Sequence, residues 1–426
     1  MYSLYFHIPF CTHRCAYCDF NTYSRQEPLI PAYVEALCNE IRRVAESAPN
    51  PLPIQTIFFG GGTPSLLTPP QLEQILQTVR ANFTLFPSVQ YGPLGTSGTI
   101  DNSGTLGSTE ASQTIEISLE ANPGTVTLAS LQELRRVGFN RISFGVQSFH
   151  ADELNQLERI HDPFDVLEAV CWAHKSGFEN LNLDLIYGLP EQTLSRWQES
   201  LRCAVELAPQ HLSLYALTIE HGTPFGRWAA HGLMPVPDPD LAADMYEAAS
   251  DYLEGQGYEQ YEISNWSKPG FQSRHNLQYW RNLPYLGFGA GAHGCARGLR
   301  ISNSLRIKTY IERLSSDYLI PDFPLSPATV TQISLTPYIE MQETLMLGLR
   351  LTQEGVSPQA FHARFEKDLE DVFGKEIDEL INLGLLEWTL SSLPMVDGLG
   401  VRQGARVRLT KRGRLLGNQV FLRFVG

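Results

Sequence analysis

The sequence lacks the features of a secreted or membrane-spanning protein. No run approaches the roughly 18 to 20 consecutive apolar residues of a membrane helix, and the N-terminus has no basic segment followed by an apolar core, as a signal peptide has. The 7 cysteines are an odd number, and Cys38, Cys171, Cys203 and Cys295 are scattered, so no disulfide framework is expected. We therefore expect a soluble cytoplasmic protein in which these four thiols are small buried residues.

Basic residues are in deficit, with 32 Lys and Arg against 46 Asp and Glu and a net charge of −14. Because Lys and Arg contacts to phosphate dominate nucleic-acid binding, we expect no nucleic-acid partner. From Gly398 onward, however, acidic residues are absent, and the basic residues of this "basic tail" are Arg402, Arg406, Arg408, Lys411, Arg412, Arg414 and Arg423. The tail has two interpretations. It is a solvated face that balances Glu366, Asp368, Glu370 and Asp371, or it docks on anionic lipid or an acidic acceptor protein, which would place the protein at the membrane periphery.

Three further cysteines are concentrated near the N-terminus. Cys11, Cys15 and Cys18 fall within eight residues, directly after an apolar run. Such thiols can face one point, and thiolates favour zinc or an iron–sulfur cluster over hard cations. A structural zinc site normally has four protein ligands, whereas a site that does chemistry keeps one position open. The missing fourth cysteine favours a reactive centre, and a zinc knuckle closed by His7 or His13 is the alternative.

Alternating apolar strands and helical segments predict a parallel α/β fold. The predicted strands cover residues 2–10, 53–59, 114–120, 140–146, 181–187 and 211–217. Helical spacing falls between them, at residues 31–45, 69–82, 128–137, 165–176 and 194–207. Such strand–helix units fit an incomplete (β/α)6 barrel better than a closed eightfold barrel.

The chain divides by composition into three parts. Residues 1–235 form the predicted barrel, and the Gly- and Ser-rich residues 86–113 are a flexible insertion within it, for which a lid is the alternative. Residues 236–330 form a connecting region. Residues 331–426 are predicted to form a helical, winged-helix-like domain, with helices at 337–349, 358–365 and 369–383 and a hairpin over 385–409.

Polar and glycine residues gather where the predicted barrel strands end. The cysteine loop follows the first strand, the run GGGTP at 60–64 follows the second, and Glu120 ends the third. Gln147 follows the fourth strand, and Asp184 lies near the end of the fifth. Active sites of parallel α/β barrels lie at this end of the strands, so we expect these residues on one face. The structural alternatives are a plain glycine turn and helix caps at Glu120 and Asp184.

The spacing CxxxCxxC after a first strand resembles the radical S-adenosylmethionine (SAM) superfamily. The resemblance implies that Cys11, Cys15 and Cys18 hold a [4Fe-4S] cluster and that its fourth iron is left to SAM. It also implies an electron donor for the cluster and reductive cleavage of SAM to a 5′-deoxyadenosyl radical. Tyr17, which lies between two of the cysteines, is expected to pack beside the cluster.

Within this superfamily the chain resembles the coproporphyrinogen dehydrogenase group over nearly its whole length, the insertion excepted. The segments that carry the resemblance are YFHIPFC at Tyr5, FFGGGTP at Phe58, EANPG at Glu120, ISFGVQSF at Ile142, LERIH around Arg159 and LDLIYGLP at Leu183. The resemblance implies that the methionine portion of SAM is surrounded by Tyr5, Gly61, Gly62, Thr63 and Glu120. It implies further that Arg159 binds a carboxylate and that Gln147 and Asp184 bind the ribose. When Arg159 is considered alone, the alternative interpretation is a solvated surface charge.

Residue 20 departs from the dehydrogenase pattern. Dehydrogenases that decarboxylate coproporphyrinogen III carry CxxxCxxCxC, whereas this chain has Phe20 two residues after Cys18. Phe20 matches a sister branch, the HemW-type heme chaperones, which are thought to bind heme and hand it on. We therefore expect a heme chaperone that transfers heme to an acceptor protein, for which a membrane-associated protein is the candidate. An oxygen-independent coproporphyrinogen III dehydrogenase is the alternative, and a radical SAM enzyme with another substrate, such as RNA, is a further one.

A second signature, HNxxYW, begins at His275 and is shared by the chaperone branch, where it has been linked to heme. Imidazole is a common iron ligand, and flat aromatic rings suit a porphyrin face. We expect His275 to ligate or lie against heme, with Tyr279 and Trp280 nearby. The alternative is that these residues pack between the barrel and the terminal domain. His293 and Cys295, in and beside a glycine-rich stretch, are alternative ligands.

Overall fold

The computed structural model describes residues 1–86, 114–315, 321–389 and 405–425. Its strands are, in chain order, β1 (Tyr2–Ile8), β2 (Phe10–Cys11), β3 (Tyr23–Ser24), β4 (Pro53–Gly61), β5 (Thr84–Leu85), β6 (Glu116–Ala121), β7 (Arg141–Gln147), β8 (Leu181–Tyr187), β9 (His211–Ala216), β10 (Glu259–Glu262), β11 (Asn265–Ser267), β12 (Tyr285–Phe288), β13 (His293–Ala296), β14 (Leu299–Asn303), β15 (Thr329–Ser334), β16 (Leu386–Thr389) and β17 (Arg406–Leu409). The predicted insertion at 86–113 lies outside the described residues, apart from Phe86.

The helices surround these strands and make up most of the terminal domain. They are α1 (Ile30–Ser47), α2 (Pro69–Asn82), α3 (Leu128–Val137), α4 (Ala151–Gln156), α5 (Pro163–Lys175), α6 (Leu194–Glu206), α7 (Pro224–Ala230), α8 (Pro239–Gly255), α9 (Arg274–Trp280), α10 (Ile307–Ser315), α11 (Pro337–Gly348), α12 (Pro358–Phe365), α13 (Leu369–Asn382), α14 (Lys411–Leu415) and α15 (Gly417–Val425). None of the helices in the described ranges is long and apolar enough to cross a membrane.

The barrel wall consists of β1, β4, β6, β7, β8 and β9, which lie side by side and pair in parallel. This arrangement confirms the predicted partial (β/α)6 barrel. The helices between the strands begin and end at recognisable signals. At the start of α5, Asp162 accepts hydrogen bonds from the backbone N–H groups of Phe164 and Asp165, and Pro163 is the first residue of the helix. At the end of α3, Gly138 has a positive φ of 121°, a conformation that glycine adopts readily.

Side chains alternate across the barrel wall, because successive residues of a strand point to opposite faces. In β1, Leu4, Phe6 and Ile8 are buried in the main core against the outer helices, while Tyr5 and His7 point inward, hydrogen-bonded to each other. The other strands repeat this pattern, with inward Ser, Asn, His, Asp and Glu residues. The barrel interior is therefore polar, whereas the shell between strands and helices is apolar.

The connecting region adds strands to both edges of the barrel sheet. At one edge β12 pairs in parallel with β1, and β13, β14 and β15 continue antiparallel. At the other edge β11 and β10 extend the sheet beyond β9. The connecting region thus shares one sheet with the barrel.

The terminal domain has its own apolar core, built from α11, α12, α13, the hairpin β16–β17 and α15. This confirms the predicted helical, winged-helix-like domain. The helices α14 and α15 were not predicted. The segment was interpreted by its basic residues alone, and the short amphipathic pattern in which Val420, Phe421 and Phe424 are buried was overlooked. The expectation that the scattered thiols are buried holds for Cys38 and is wrong for Cys171, which is exposed on the outer side of α5.

Candidate cofactor site

The cysteine loop lies over the carboxyl end of β1. Cys11 ends β2, which pairs with β3, and the backbone N–H of Cys18 donates to the carbonyl of Cys15 at 3.2 Å. Cys11 is 9% exposed, and Cys15 and Cys18 are partly exposed. Burial, reinforced by the other thiols, raises the pKa of Cys11 and of Cys18. The loop thus places three thiols at the rim of the barrel in a partly dry setting.

Each of the three sulfur atoms has a polar neighbour within hydrogen-bonding range. Thr63 Oγ1 lies 3.7 Å from Cys11 Sγ, and the Arg159 guanidinium donates to Cys15 Sγ at 3.5 Å. Thr22 Oγ1 lies 3.9 Å from Cys18 Sγ. Donors beside a sulfur stabilise its negative charge, and such contacts tune a bound metal or cluster.

The glycine run after β4 packs directly against the cysteine loop. A Cβ atom on Gly62 would lie 3.1 Å from Cys11 Sγ and 2.6 Å from the carbonyl of Phe10. Gly61 has a φ of 109°, and a Cβ there would meet the His7 ring at 2.5 Å. Only glycine allows this approach. The run is therefore more than a turn, because it holds backbone against the thiol loop.

Two inward carboxylates lie beneath the thiol loop. Glu120 accepts one hydrogen bond, from the backbone N–H of Gly61 at 3.1 Å. Desolvation, followed by the charge of Asp184, raises the pKa of Glu120 to about 8. Asp184 accepts from Ser143 at 2.9 Å and from Asn182 at 2.7 Å. Neither carboxylate caps a helix, so both belong to the barrel interior, where a ligand with positive charge would suit Glu120.

Gln147 and Arg159 lie near the carboxyl end of β7. Gln147 has a φ of 68°, an uncommon backbone conformation for this residue type, and it follows a register shift between β7 and β8. Arg159 donates to the carbonyl of Gly145 at 2.6 Å, and its Nε is buried with no hydrogen-bond partner among the described residues. Arg159 is consequently part of the site rather than a solvated surface charge.

Asn122 is a site residue that the sequence reasoning missed. Its amide nitrogen donates to Thr63 Oγ1 at 3.0 Å, and its oxygen accepts from the Arg159 guanidinium. Thr63 and Arg159 each contact a different cysteine, so Asn122 connects the two sulfur contacts. Its position two residues after Glu120, in the same inward phase, was the available signal.

Aromatic side chains complete the rim and its interior. The Tyr5 hydroxyl lies 3.0 Å from His7 Nδ1, and the Tyr17 ring lies 6.4 Å from that of Phe225. Burial and the neighbouring thiols raise the pKa of Tyr17, although Arg159 opposes the shift. The Phe20 side chain is 63% exposed at the outer rim.

Within the described ranges, no histidine with a free ring lies beside the thiols to complete the alternative zinc site. His7 Nε2 lies 2.9 Å from the carbonyl of Asn21, and its other nitrogen faces Tyr5. His13 lies on the surface, 3.4 Å from Glu158. Across the described residues, no group of three or more His, Cys, Asp or Glu side chains is arranged to hold a single metal ion.

The HNxxYW motif forms α9 at the opposite, amino-terminal end of the barrel. Glu116, at the start of β6, accepts the backbone N–H of His275 at 3.0 Å. The His275 ring is 1% exposed, and its nitrogens lie 2.8 Å from Thr56 Oγ1 and 2.9 Å from the Tyr279 hydroxyl. Burial lowers the pKa of His275 to about 3. His275 is therefore a neutral, fully engaged side chain in the barrel floor.

The rest of the motif joins the barrel floor to the terminal domain. The guanidinium of Arg350 lies 4.4 Å from the Trp280 ring, and the Tyr279 ring packs edge-on at 4.6 Å from Tyr285. These contacts match the packing alternative. A heme role for His275, Tyr279 and Trp280 stays a prediction, and ligation by His275 would require its present hydrogen bonds to break.

The described part of the basic tail is largely paired within the protein. Arg408 donates to Glu387 at 2.8 Å, and Arg414 donates to an amide side chain of β10 at 2.7 Å. Asp368, one of the acidic residues expected to balance the tail, instead lies 2.9 Å from His362. The described part of the tail thus bonds to the terminal domain and the connecting region, and the predicted charge balance with residues 366–371 stays a prediction.

Comparison with known proteins places this site in a family. Two family models match, the radical SAM superfamily over residues 5–204 and the HemN C-terminal domain over residues 335–392. The heme chaperone HemW of Bacillus subtilis is 36% identical over 426 residues, which cover 100% of both proteins. The chain belongs to the HemW family of radical SAM proteins. The HemW of Synechocystis is 39% identical over 82% of this chain and 78% of its own. That of Escherichia coli is 42% identical over 68% of this chain and 69% of its own.

A solved structure shows the same fold. The coproporphyrinogen III oxidase HemN of Escherichia coli, a radical SAM enzyme, has a TM-score of 0.75 and 24% sequence identity, with 99% of this chain and 89% of that chain covered. At this identity the likeness shows the architecture alone. It extends over both the partial barrel and the terminal domain.

Proposed function

We propose that this protein is a heme chaperone that carries a [4Fe-4S] cluster on Cys11, Cys15 and Cys18, binds SAM at the barrel mouth and passes heme to an acceptor protein. The observation that carries the proposal is the full-length similarity to proteins named heme chaperone HemW. The chemistry of the barrel mouth supports its cofactor part, in the following two respects.

The cysteine loop suits a cluster with three protein ligands. Thr63, Arg159 and Thr22 each offer a polar atom to a different cysteine sulfur, which stabilises the negative charge of thiolate ligands. Gly62 leaves the space beside Cys11 free of side chain. When bound, the cluster supplies an electron and an iron site open to SAM.

The polar interior suits the charges of SAM. Glu120 is a poorly compensated carboxylate with a single hydrogen-bond donor, and it would bind the ammonium or sulfonium charge. Arg159 has an unpartnered Nε for the carboxylate. Gln147 and Asp184 would accept from the ribose hydroxyls, and Tyr5 and the glycine run would line the methionine portion.

One anaerobic sample tests the proposal. Reconstituted protein is titrated with heme and then assayed for coproporphyrinogen III turnover with SAM and a reductant. We expect saturable heme binding, iron and sulfide near four per protein by the [4Fe-4S] assignment, and no turnover. Porphyrinogen turnover without heme binding would contradict the proposal.

The second candidate is an oxygen-independent coproporphyrinogen III dehydrogenase, because segments such as FFGGGTP at Phe58 and EANPG at Glu120 also resemble that group. Phe20 opposes this candidate, because an exposed benzyl group stands where the dehydrogenase pattern has a thiol. A Phe20→Cys variant in the same turnover assay separates the two: a chaperone should gain no activity from this single change.

The acceptor and the electron donor are proposals of the same kind. An acceptor at a membrane would suit the exposed basic residues Lys411 and Arg423. Truncating the tail would remove part of the terminal-domain core, so the better test is a Lys411→Glu/Arg423→Glu variant in flotation with anionic vesicles, compared with a Lys367→Glu control. Equal recovery of the wild type and the tail variant would remove the membrane part of the proposal.

A further inference from the structure

The sheet extension β12–β15 carries its side chains in two rows that the strand register defines. Tyr285 pairs with Cys295, Cys295 with Arg300, and Arg300 with Ile333. One step closer to the barrel mouth, His293 pairs with Ser302, and Ser302 with Thr331. Residues paired across strands point to the same face of a sheet. These seven residues therefore share one face, called here the extension face.

The extension face continues the polar interior of the barrel. Register places Tyr285 beside Ser3 and Gly287 beside Tyr5, both of which point inward. A Cβ on Gly287 would lie 1.9 Å from the carbonyl of His293, so the strand next to His293 has no side chain there. His293 thus stands at the edge of the same opening as the thiol loop.

The mouth-side row of the extension face is open, whereas the opposite face of the same strands is covered. The row that contains Tyr285 and Cys295 is partly covered by α11, whose Glu343 is 8% exposed and bonds to Arg300. His293 is exposed, the Arg300 side chain is 42% exposed, and Ile333 is 51% exposed. On the other side, Ala296 and Ile301 are 3% and 5% exposed. Among the described residues the His293 ring has no hydrogen bond or ion pair, so an imidazole nitrogen is free to bind a metal.

Resting on the proposed chaperone function, we propose that the heme cargo binds on the extension face, with His293 as the iron ligand. A neutral imidazole is a common iron ligand. The exposed Ile333 gives apolar contact to a flat ring, and Tyr285 lies beneath the face, packed on Tyr279. Arg300 donates to Glu343 at 2.6 Å and has further N–H groups that a propionate can accept from.

The same arrangement assigns the HNxxYW motif a supporting part. Tyr279 packs against Tyr285, and His275 is hydrogen-bonded to Tyr279. The motif therefore holds the base of the extension face from beneath. Changes in the motif would disturb heme binding through Tyr285, without any bond from His275 to iron.

Cys295 is the competing ligand on the same strand. It follows His293 by two residues, or about 7 Å along the strand, and its thiol is free. Cys295 is half-buried beside the Arg300–Glu343 pair, whereas the His293 ring is exposed, so the imidazole is the more accessible ligand. Imidazole and thiolate ligation give different heme spectra, so the two can be told apart directly.

The test is a heme titration of full-length wild type, His293→Ala, His275→Ala and Cys295→Ala, with Soret absorption and resonance Raman spectra of the ferric and ferrous forms. His293→Ala should lose the imidazole signature and bind heme on the order of tenfold more weakly, and added imidazole should restore the spectrum. His275→Ala and Cys295→Ala should retain the signature. Thermal melting confirms that each variant is folded.

The outcomes separate this inference from the proposed function. If the wild type binds no heme, the chaperone proposal itself fails. If the wild type binds heme but His293→Ala keeps its affinity and spectrum, heme chaperoning stands and the site is wrong. Loss of the axial signature in His275→Ala or Cys295→Ala alone would reassign the ligand and overturn the role of His293.

Discussion

The two ends of the barrel carry polar residues of similar type, but these residues differ in how completely they are hydrogen-bonded. At the floor, both ring nitrogens of His275 are hydrogen-bonded, and Glu116 accepts two backbone N–H groups. At the mouth, Glu120 has a single donor and the Nε of Arg159 has no partner among the described residues. A buried polar group without a partner costs free energy. The incompletely paired polar groups therefore lie at the mouth, where we propose that ligands bind, whereas the polar groups of the floor are hydrogen-bonded to one another.

The comparison is most severely tested at the thiol loop. Cys15→Ala removes one of the three proposed ligands, and we expect anaerobically reconstituted protein to lose its cluster. Iron and sulfide content and the absorption near 400 nm measure this loss. Cys171→Ala is the matched control, because this exposed thiol lies on the outer side of α5. Equal iron content in the two variants would contradict the assignment.

Removal of a floor residue should affect stability rather than ligand binding. His275→Ala leaves Thr56 and Tyr279 without their partner and creates a cavity, so we expect the free energy of unfolding to fall by about 2 to 4 kcal/mol. Chemical denaturation measures this change. SAM affinity of the folded variant should fall far less than in Glu120→Gln, since His275 reaches the proposed SAM site only through its ring contact with Tyr5, at 6.5 Å between centroids. A large loss of SAM affinity with unchanged stability would reverse the comparison.

Removal of the charge at the mouth should have the opposite effect. Glu120→Gln keeps the shape of the side chain but cannot compensate a cationic ligand, and we expect SAM affinity to fall on the order of tenfold. Equilibrium binding with the cluster in place measures this affinity. Unfolding measurements should show no loss of stability, since a poorly compensated carboxylate has been removed. A destabilised variant with wild-type SAM affinity would identify Glu120 as a structural residue.

The same carboxylate predicts a pH dependence. The folded protein raises the pKa of Glu120 from 4.5 to about 8, so between these values the unfolded chain releases a proton that the folded state keeps. The contribution of Glu120 to the free energy of unfolding is present below pH 4.5 and is lost as the pH rises towards about 8. Denaturation of the ligand-free protein across this pH range should show a decreasing free energy of unfolding. Glu120→Gln should flatten it, and an unchanged slope would contradict the assigned pKa.

The smallest expected effect concerns Asn122. Asn122→Ala breaks the connection between Thr63 and Arg159 and loosens the donors to two sulfur atoms. Donors to cluster ligands stabilise the reduced state, so we expect a modest negative shift of the cluster potential. A redox titration followed by electron paramagnetic resonance measures the shift. Asn140→Ala is a control variant, because that amide bonds only near the start of β6.

The cysteine spacing and the ends of the barrel strands could be recognised from the sequence alone. Cys11, Cys15 and Cys18 are close along the chain, and a strand followed by a glycine run or a polar residue marks the same end of a parallel barrel. Local patterns of this kind were sufficient for the barrel, the terminal domain and the positions of Glu120 and Asp184. They do not need long-range contacts to be recognised.

Contacts between segments that are distant in sequence could not be predicted from local patterns. Asn122 matters because it lies between Thr63 and Arg159, which are far apart in sequence. His275 was assigned to heme from its motif, and its hydrogen bonds to Thr56 and Tyr279 could not be foreseen. The alternation of inward and outward side chains was also hidden, since each strand was interpreted as simply apolar. Register between strands turns this alternation into a polar interior.

The sequence by itself determined the family, the cysteine spacing and the order of the barrel strands, because these depend on residue identity and local spacing. Only the tertiary structure decided which polar residues are fully hydrogen-bonded and which are open to a ligand. His275 and His293 are both histidines close to glycine- or aromatic-rich segments, yet one is buried in the floor and the other is exposed on the extension face. Hydrogen-bond partners and solvent exposure arise from the packing of distant strands, and they decide what a side chain can bind.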